Sequence, residues 1–170
     1  MPPSAWVGAR ATHFAVRLTA SLALAAVITA PATAQRVRVS ALTDISFGML
    51  ANLQSDQRRS QSICVYSNGN TSGYSVSAWG SGSAGSFEIS NGSNSLNYDV
   101  EWNPVAGLST GAALTPNLPL TGQVSSASNQ TCNSGPAASA SLVVILRGGD
   151  LGQAREGTYT GSLSLLISPE

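Results

Sequence analysis

Polar and apolar residues alternate at the end of the chain in Tyr159-Thr160-Gly161-Ser162-Leu163-Ser164-Leu165-Leu166-Ile167. Successive side chains of a strand point to opposite faces, so Tyr159, Leu163, Leu165 and Ile167 share one side, while Thr160, Ser162 and Ser164 take the other. This run, opening at Glu156-Gly157, reads as a closing strand with one buried face. A strand with no following element has an edge that another chain can pair with.

The same period recurs upstream. Val37, Val39 and Ala41 alternate with Arg36, Arg38 and Ser40, which predicts a half-buried first strand leading into Leu42-Thr43-Asp44-Ile45-Ser46-Phe47-Gly48. A second strand centres on Ile63-Cys64-Val65-Tyr66, and the polar residues 52–60 between the two read as a solvated loop. Asn68-Gly69-Asn70 marks a turn before the alternating Gly73-Tyr74-Ser75-Val76-Ser77-Ala78-Trp79. A Gly/Ser connection over 80–85 leads to a short Phe87-Glu88-Ile89 strand. Asn91-Gly92 is a hairpin signal, after which Leu96, Tyr98 and Val100 face one way and Asn97, Asp99 and Glu101 the other. Residues 105–140 are rich in small and turn-forming residues. They offer one edge strand, over 114–120, interrupted by Pro116 and Pro119. Leu142-Val143-Val144-Ile145-Leu146 is apolar throughout and belongs in the middle of a sheet, and Arg147-Gly148-Gly149-Asp150 reads as a turn. Short strands separated by Gly, Asn and Ser turns, with no helical periodicity beyond residue 34, predict an all-β antiparallel sandwich.

The first 34 residues have a different pattern. Arg10 and Arg17 precede an apolar run over 18–30, and Ala32-Thr33-Ala34 supplies small residues for cleavage, the signature of a secretory signal peptide. The run is shorter than the roughly 20 residues a membrane helix needs. We therefore expect a mature domain over 35–170 with no membrane insertion after signal cleavage. Export also bears on Cys64 and Cys132, the two cysteines of the chain. An oxidising compartment favours one bridge between them, and the alternative is two unpaired, buried thiols.

Removal of the signal takes away His13, the single histidine, and the chain has no lysine. Six arginines then face eight carboxylates, a formal charge of −2. Such a surface has no basic footprint for nucleic acid or anionic lipid. Without an imidazole or an amine, Ser-His-Asp, Cys-His and Ser-Lys catalysis lack their base. Two distant cysteines without a histidine do not make a zinc site, and Asp44, Asp56 and Asp150 lack the dense oxygen loop of a calcium module. Asp99 and Glu101 share a strand face and are the one carboxylate pair of the glycosidase type. A solvated acidic strand face is the plainer reading of them. The chain is thus read as a non-enzyme without a cofactor. Arg147-Gly148-Gly149-Asp150 is not an Arg-Gly-Asp tripeptide. The glycosylation patterns at Asn70, Asn91 and Asn129 read as turns, and Trp79 and Trp102 read as core residues that would stack on sugars only if exposed.

Four segments taken together carry a family resemblance: Ile45-Ser46-Phe47-Gly48, then Ser62-Ile63-Cys64-Val65-Tyr66 with Gly73-Tyr74-Ser75-Val76, then Leu96-Asn97-Tyr98-Asp99-Val100, and finally Glu156-Gly157-Thr158-Tyr159-Thr160. The mature chain resembles the spore coat protein U domain family, whose relatives include subunits of archaic, Csu-type chaperone–usher pili. The resemblance implies an immunoglobulin-like, pilin-type sandwich lacking its last strand. A periplasmic chaperone and then a neighbouring subunit would complete it, with an outer-membrane usher as further partner and the cell surface as destination. It places the donor-strand acceptor groove along Tyr159, Leu163, Leu165 and Ile167. Polymerising members carry a donor segment and a cysteine before the Phe-Gly strand. Here residues 35–44 precede Ile45, with Arg36 and Arg38 interrupting the alternation and no cysteine, so a bridge would run from Cys64 to Cys132. Two roles follow: a structural subunit of a pilus or coat, or a tip-located adhesin that accepts a strand, donates none and touches a surface or glycan through residues 105–140.

Overall fold

A computed structural model describes residues 35–69 and 71–170. The expected signal peptide and Asn70 lie outside the described residues. Among the described residues ten strands run in the order β1 (Val37–Ser40), β2 (Gln57–Ser67), β3 (Gly73–Gly80), β4 (Glu88–Ser90), β5 (Ser95–Asn97), β6 (Asp99–Asn103), β7 (Ala112–Ala113), β8 (Leu120–Val124), β9 (Ala140–Leu146) and β10 (Leu163–Pro169). One helical turn, α1 (Gly148–Leu151), follows β9. The strands pair antiparallel into a five-stranded sheet, β1-β2-β9-β6-β7, and a three-stranded sheet, β10-β3-β8, with β4-β5 as a separate hairpin. Among the described residues no helix is long and apolar enough to cross a membrane.

The core lies between the two sheets. β3 contributes Tyr74, Val76 and Ala78, β6 contributes Val100 and Trp102, and β9 contributes Ala140, Leu142, Val144 and Leu146. Trp102 and Tyr74 join the sheets directly. The indole Nε1 donates to the Tyr74 hydroxyl at 3.2 Å, and the rings meet edge to face with centroids 6.2 Å apart. Burial raises the Tyr74 pKa, and the Trp102 hydrogen bond pulls it in the opposite direction.

β9 is buried along its whole length and sits between β2 and β6, as its unbroken apolar run requires. Its outward residues Val143 and Ile145 are flanked by polar and charged residues of β2 and β6. Arg58 and Asp99 lie on either side of Ile145, Ser60 and Glu101 on either side of Val143, and Arg58 meets Glu101 at 3.3 Å.

Several boundaries differ from the sequence reading. β1 ends at Ser40 because Ala41 takes a left-handed backbone (φ 65°), so residues 42–48 are not strand. β2 begins six residues before its apolar centre. Ile63 and Val65 point into the core, and alternation puts Gln57, Arg59 and Gln61 on the same side. The chain leaving β1 runs beside these polar residues: the guanidinium of Arg59, itself exposed, lies 5.5 Å from the Phe47 ring centroid, and Gln61 meets Thr43. Residues 114–119 form no strand, and the expected edge strand starts instead at Leu120, beyond Pro119. The residues after β9 form α1 rather than a simple turn. The closing strand is shorter than its alternation, since 156–162 is irregular apart from a bridge between Thr160 and Ser90. The Asn91-Gly92 turn is present, with Gly92 at φ 92° and the Asn91 side chain accepting from the Ser93 and Asn94 amides.

Cys64 and Cys132 are bridged, with Cα atoms 5.9 Å apart. Cys64 lies on the outer face of β2, and the bridge pins residues 125–139 over it in a small second cluster with Ala127. Serine hydroxyls continue the ladder beyond the end of β9. Ser139 Oγ accepts from the Val65 amide at 2.8 Å and donates to the Val65 carbonyl at 2.7 Å, and Ser125 Oγ donates to that carbonyl at 2.5 Å. Both serines are buried, and without them Val65 would be left with unpaired polar groups, at a cost of about 1–3 kcal/mol each.

Candidate strand-acceptor edge

Among the described residues β10 pairs only with β3, in the register Leu163↔Gly80 through Pro169↔Tyr74. No described residue pairs with its other edge. In an antiparallel ladder alternate residues bond to the partner, so half of the β10 amide and carbonyl groups point away from β3. Leu163, Leu165 and Ile167 face the core yet are only partly buried, while Tyr74, Val76 and Ala78 on the adjoining β3 are fully buried.

The other sheet contributes a second unpaired edge to the same place. Among the described residues β1 pairs with β2 alone, in the register Val37↔Ser67 through Ser40↔Cys64, and Cα atoms of β1 and β10 come within 8 Å of each other. Val37 and Val39 face the core and are again only partly buried. Gln35 Nε2 donates to the Glu170 main-chain oxygen at 3.5 Å, so β1 starts where β10 ends and the two run antiparallel. Ile45, Phe47 and Leu50 pack against the same core, also incompletely covered.

Three of the four expected groove residues therefore stand together on β10. Tyr159 packs against the core too, but on the irregular segment before the strand, where its hydroxyl donates to the Arg155 carbonyl at 3.0 Å. Val37 and Val39 were recognised from sequence as a strand, but not as the neighbour of β10. Alternation gives a strand's faces, and which strands meet is a matter of topology.

The other candidate residues lie elsewhere. Asp99 accepts from Arg147 Nε at 2.5 Å, while Glu101 accepts from Arg58 and, at 3.0 Å, from the Gly111 amide. Each carboxylate has its own guanidinium, so the two do not form an acid–base pair across a cleft. Arg147 also holds Asp56 at 2.7 Å. The Gly148 amide first, and then Arg147, lower the Asp56 pKa below the ordinary carboxylate value. Among the described residues no three His, Cys, Asp or Glu side chains gather into a metal site. Trp102 is fully buried and Trp79 is 37% exposed.

Among solved structures, one chain of a chaperone–tip adhesin complex of CFA/I fimbriae biogenesis matches 80% of this chain at 18% identity, with a TM-score of 0.50. The fold is an immunoglobulin-like, pilin-type β-sandwich. A chain of the CsuC–CsuE chaperone–tip adhesion subunit pre-assembly complex of Acinetobacter baumannii matches 79% of it, also at 18% identity, with a TM-score of 0.46. This chain spans 41% and 40% of the lengths of those two chains. No family model and no curated protein matches the sequence.

Proposed function

We propose that this protein is an exported subunit of a chaperone–usher surface pilus or coat, related to the spore coat protein U domain family and completed by a β-strand from another polypeptide. The observation that carries this reading is the free edge of β10 beside the free edge of β1, with Leu163, Leu165, Ile167, Val37 and Val39 all short of full burial. A strand laid along β10 satisfies its outward amides and carbonyls and covers those side chains at once. A periplasmic chaperone would supply that strand first and a neighbouring subunit afterwards, with the usher exchanging the two at the outer membrane. The likeness in fold to a chain of a fimbrial chaperone–adhesin complex supports the same class.

Two observations favour a second reading, placement at the tip. Residues 37–40 are engaged with β2, so the segment nearest the expected mature N-terminus is used inside its own fold. The loop after β6 also presents Val105 (55% exposed) and Leu108 (40%) to solvent from a fixed frame. Ser141 Oγ donates to the Val105 carbonyl and accepts from the Leu108 amide, and Ser62 Oγ accepts from the Gly107 amide. A loop held in this way can offer apolar side chains to a surface at little ordering cost.

Co-expression of the chain with a periplasmic pilus chaperone tests the proposal. The expected result is a one-to-one periplasmic complex that Leu165→Asp abolishes, because a buried carboxylate would face the inserted strand. Absence of a complex, or a complex unaffected by Leu165→Asp, would overturn it.

A further inference from the structure

The outer face of the β10-β3-β8 sheet has a composition that the strand-acceptor reading does not use. Tyr74, Val76 and Ala78 point into the core, so Ser75, Ser77 and Trp79 point outward, and on β10 Ser164, Leu166 and Ser168 do the same. The register sets Trp79 against Ser164, Ser77 against Leu166 and Ser75 against Ser168. No residue of these three strands is charged. The result is a row of hydroxyls with one aromatic ring at its end, with Leu166 (52% exposed) beside it and Val124 (55%), opposite Gly73, at the other end.

Trp79 is held in place from behind. A tight turn over Ser83–Gly85 packs against it so closely that a Cβ on Gly85 would lie 3.1 Å from the Trp79 Cβ. Asn117 fixes that turn to the strand: its amide donates to the Ala78 carbonyl at 2.8 Å, and its Nδ2 donates to the Ala84 carbonyl at 2.8 Å. Among the described residues the Trp79 indole N–H has no acceptor, although its ring sits on a built support. The neighbours across and along the sheet, Ser164 and Ser77, are too short to cover it.

We propose that this face binds a neutral polysaccharide, with a sugar ring stacked on Trp79 and its hydroxyls bonded to the serine row and the indole N–H. Chemistry selects this occupant. The one carboxylate at this face, Glu170 at its far end, already accepts from the Gly122 amide at 2.9 Å, and no cation is present on its strands, so the face gives little to an anionic or cationic partner. A protein partner is disfavoured because serine is depleted from protein interface cores, and here four of the outward residues of β3 and β10 are serines. Sugars present what the face complements, apolar C–H surface for the ring and many hydroxyls for the serines. The face is separate from the free edge of β10, so this inference stands or falls independently of strand acceptance.

Affinity electrophoresis of the full chain through gels containing hydroxyethylcellulose tests it. The expected result is retardation that Trp79→Ala weakens by about tenfold, the scale of one lost aromatic stack, with Trp79→Phe keeping part of the effect. Ser164→Glu, at a solvent-facing position opposite the ring, should weaken retardation comparably while leaving the thermal transition in place. No retardation, or retardation insensitive to both Trp79→Ala and Ser164→Glu, would overturn the proposal. So would a Trp79-dependent doubling of mass in sedimentation without retardation, which would make the face a contact between copies.

Discussion

Replacing Cys64 and Cys132 together by serine is expected to lower the unfolding free energy by about 4 kcal/mol, the chain-entropy value for a bridge spanning 68 residues. The bridge closes a loop from the second strand to the connection before β9, and so confines half of the domain in the unfolded state. It also has a native-state role. Residues 125–139 have little regular structure, and their hold on β2 rests on the bridge, Ala127, the hydroxyls of Ser125 and Ser139 and the Ser139 amide, which donates to the Ile63 carbonyl at 2.9 Å. The loss should therefore exceed what the bridge alone predicts if those hydroxyls lose their register with Val65. Urea unfolding of the oxidised protein and of the double variant measures it. A difference under about 1 kcal/mol would mean that the serine ladder holds the connection unaided.

Trp102→Ala is the second large effect, a loss of about 3–5 kcal/mol, the range for truncating a buried aromatic. Trp102 lies on β6 in the five-stranded sheet and Tyr74 on β3 in the other, so their contact crosses the core. Truncation leaves a cavity and an unpartnered Tyr74 hydroxyl together. The second consequence has its own signature: the Trp102 hydrogen bond opposes the rise that burial imposes on the Tyr74 pKa, so without it Tyr74 should titrate still higher. Trp102→Phe should restore most of the packing and leave a deficit of about 1 kcal/mol for the hydrogen bond. Chemical unfolding and ultraviolet titration of tyrosine read the two effects separately. A Trp102→Ala variant as stable as the parent would show that the sheets are not joined through this pair.

The fold class was legible because most core strands announce themselves by alternation: β3, β6 with its Leu96, Tyr98 and Val100 approach, and the unbroken apolar β9. Legibility failed where a strand's cover comes from something other than the opposite sheet. The first half of β2 is polar on both faces because the segment carrying Phe47 runs beside one side and the Arg58–Glu101 pair belongs to the other, so its sequence reads as loop. Positions 42–48 show the converse. They alternate like a strand and pack Ile45 and Phe47 inward, but Ala41 has already turned the backbone out of register with β2. At the candidate site the residues of β10 were readable one by one. Val37 and Val39 were readable as strand residues too, but not as companions of β10, because sequence period carries no information on which edges from different sheets come together. Trp79 and Trp102 sit in similar sequence settings, and their opposite fates depend on whether the strand's odd or even face turns inward.

The central claim is that β10 has an edge awaiting a strand, and amide hydrogen exchange measured along β10 and β9 tests it most directly. In the isolated domain the outward-facing amides of β10 should exchange far faster than those of β9, and binding of the chaperone should protect them to the level of the core. If β10 in the isolated domain already resists exchange as strongly as β9, its edge is closed and the account is contradicted.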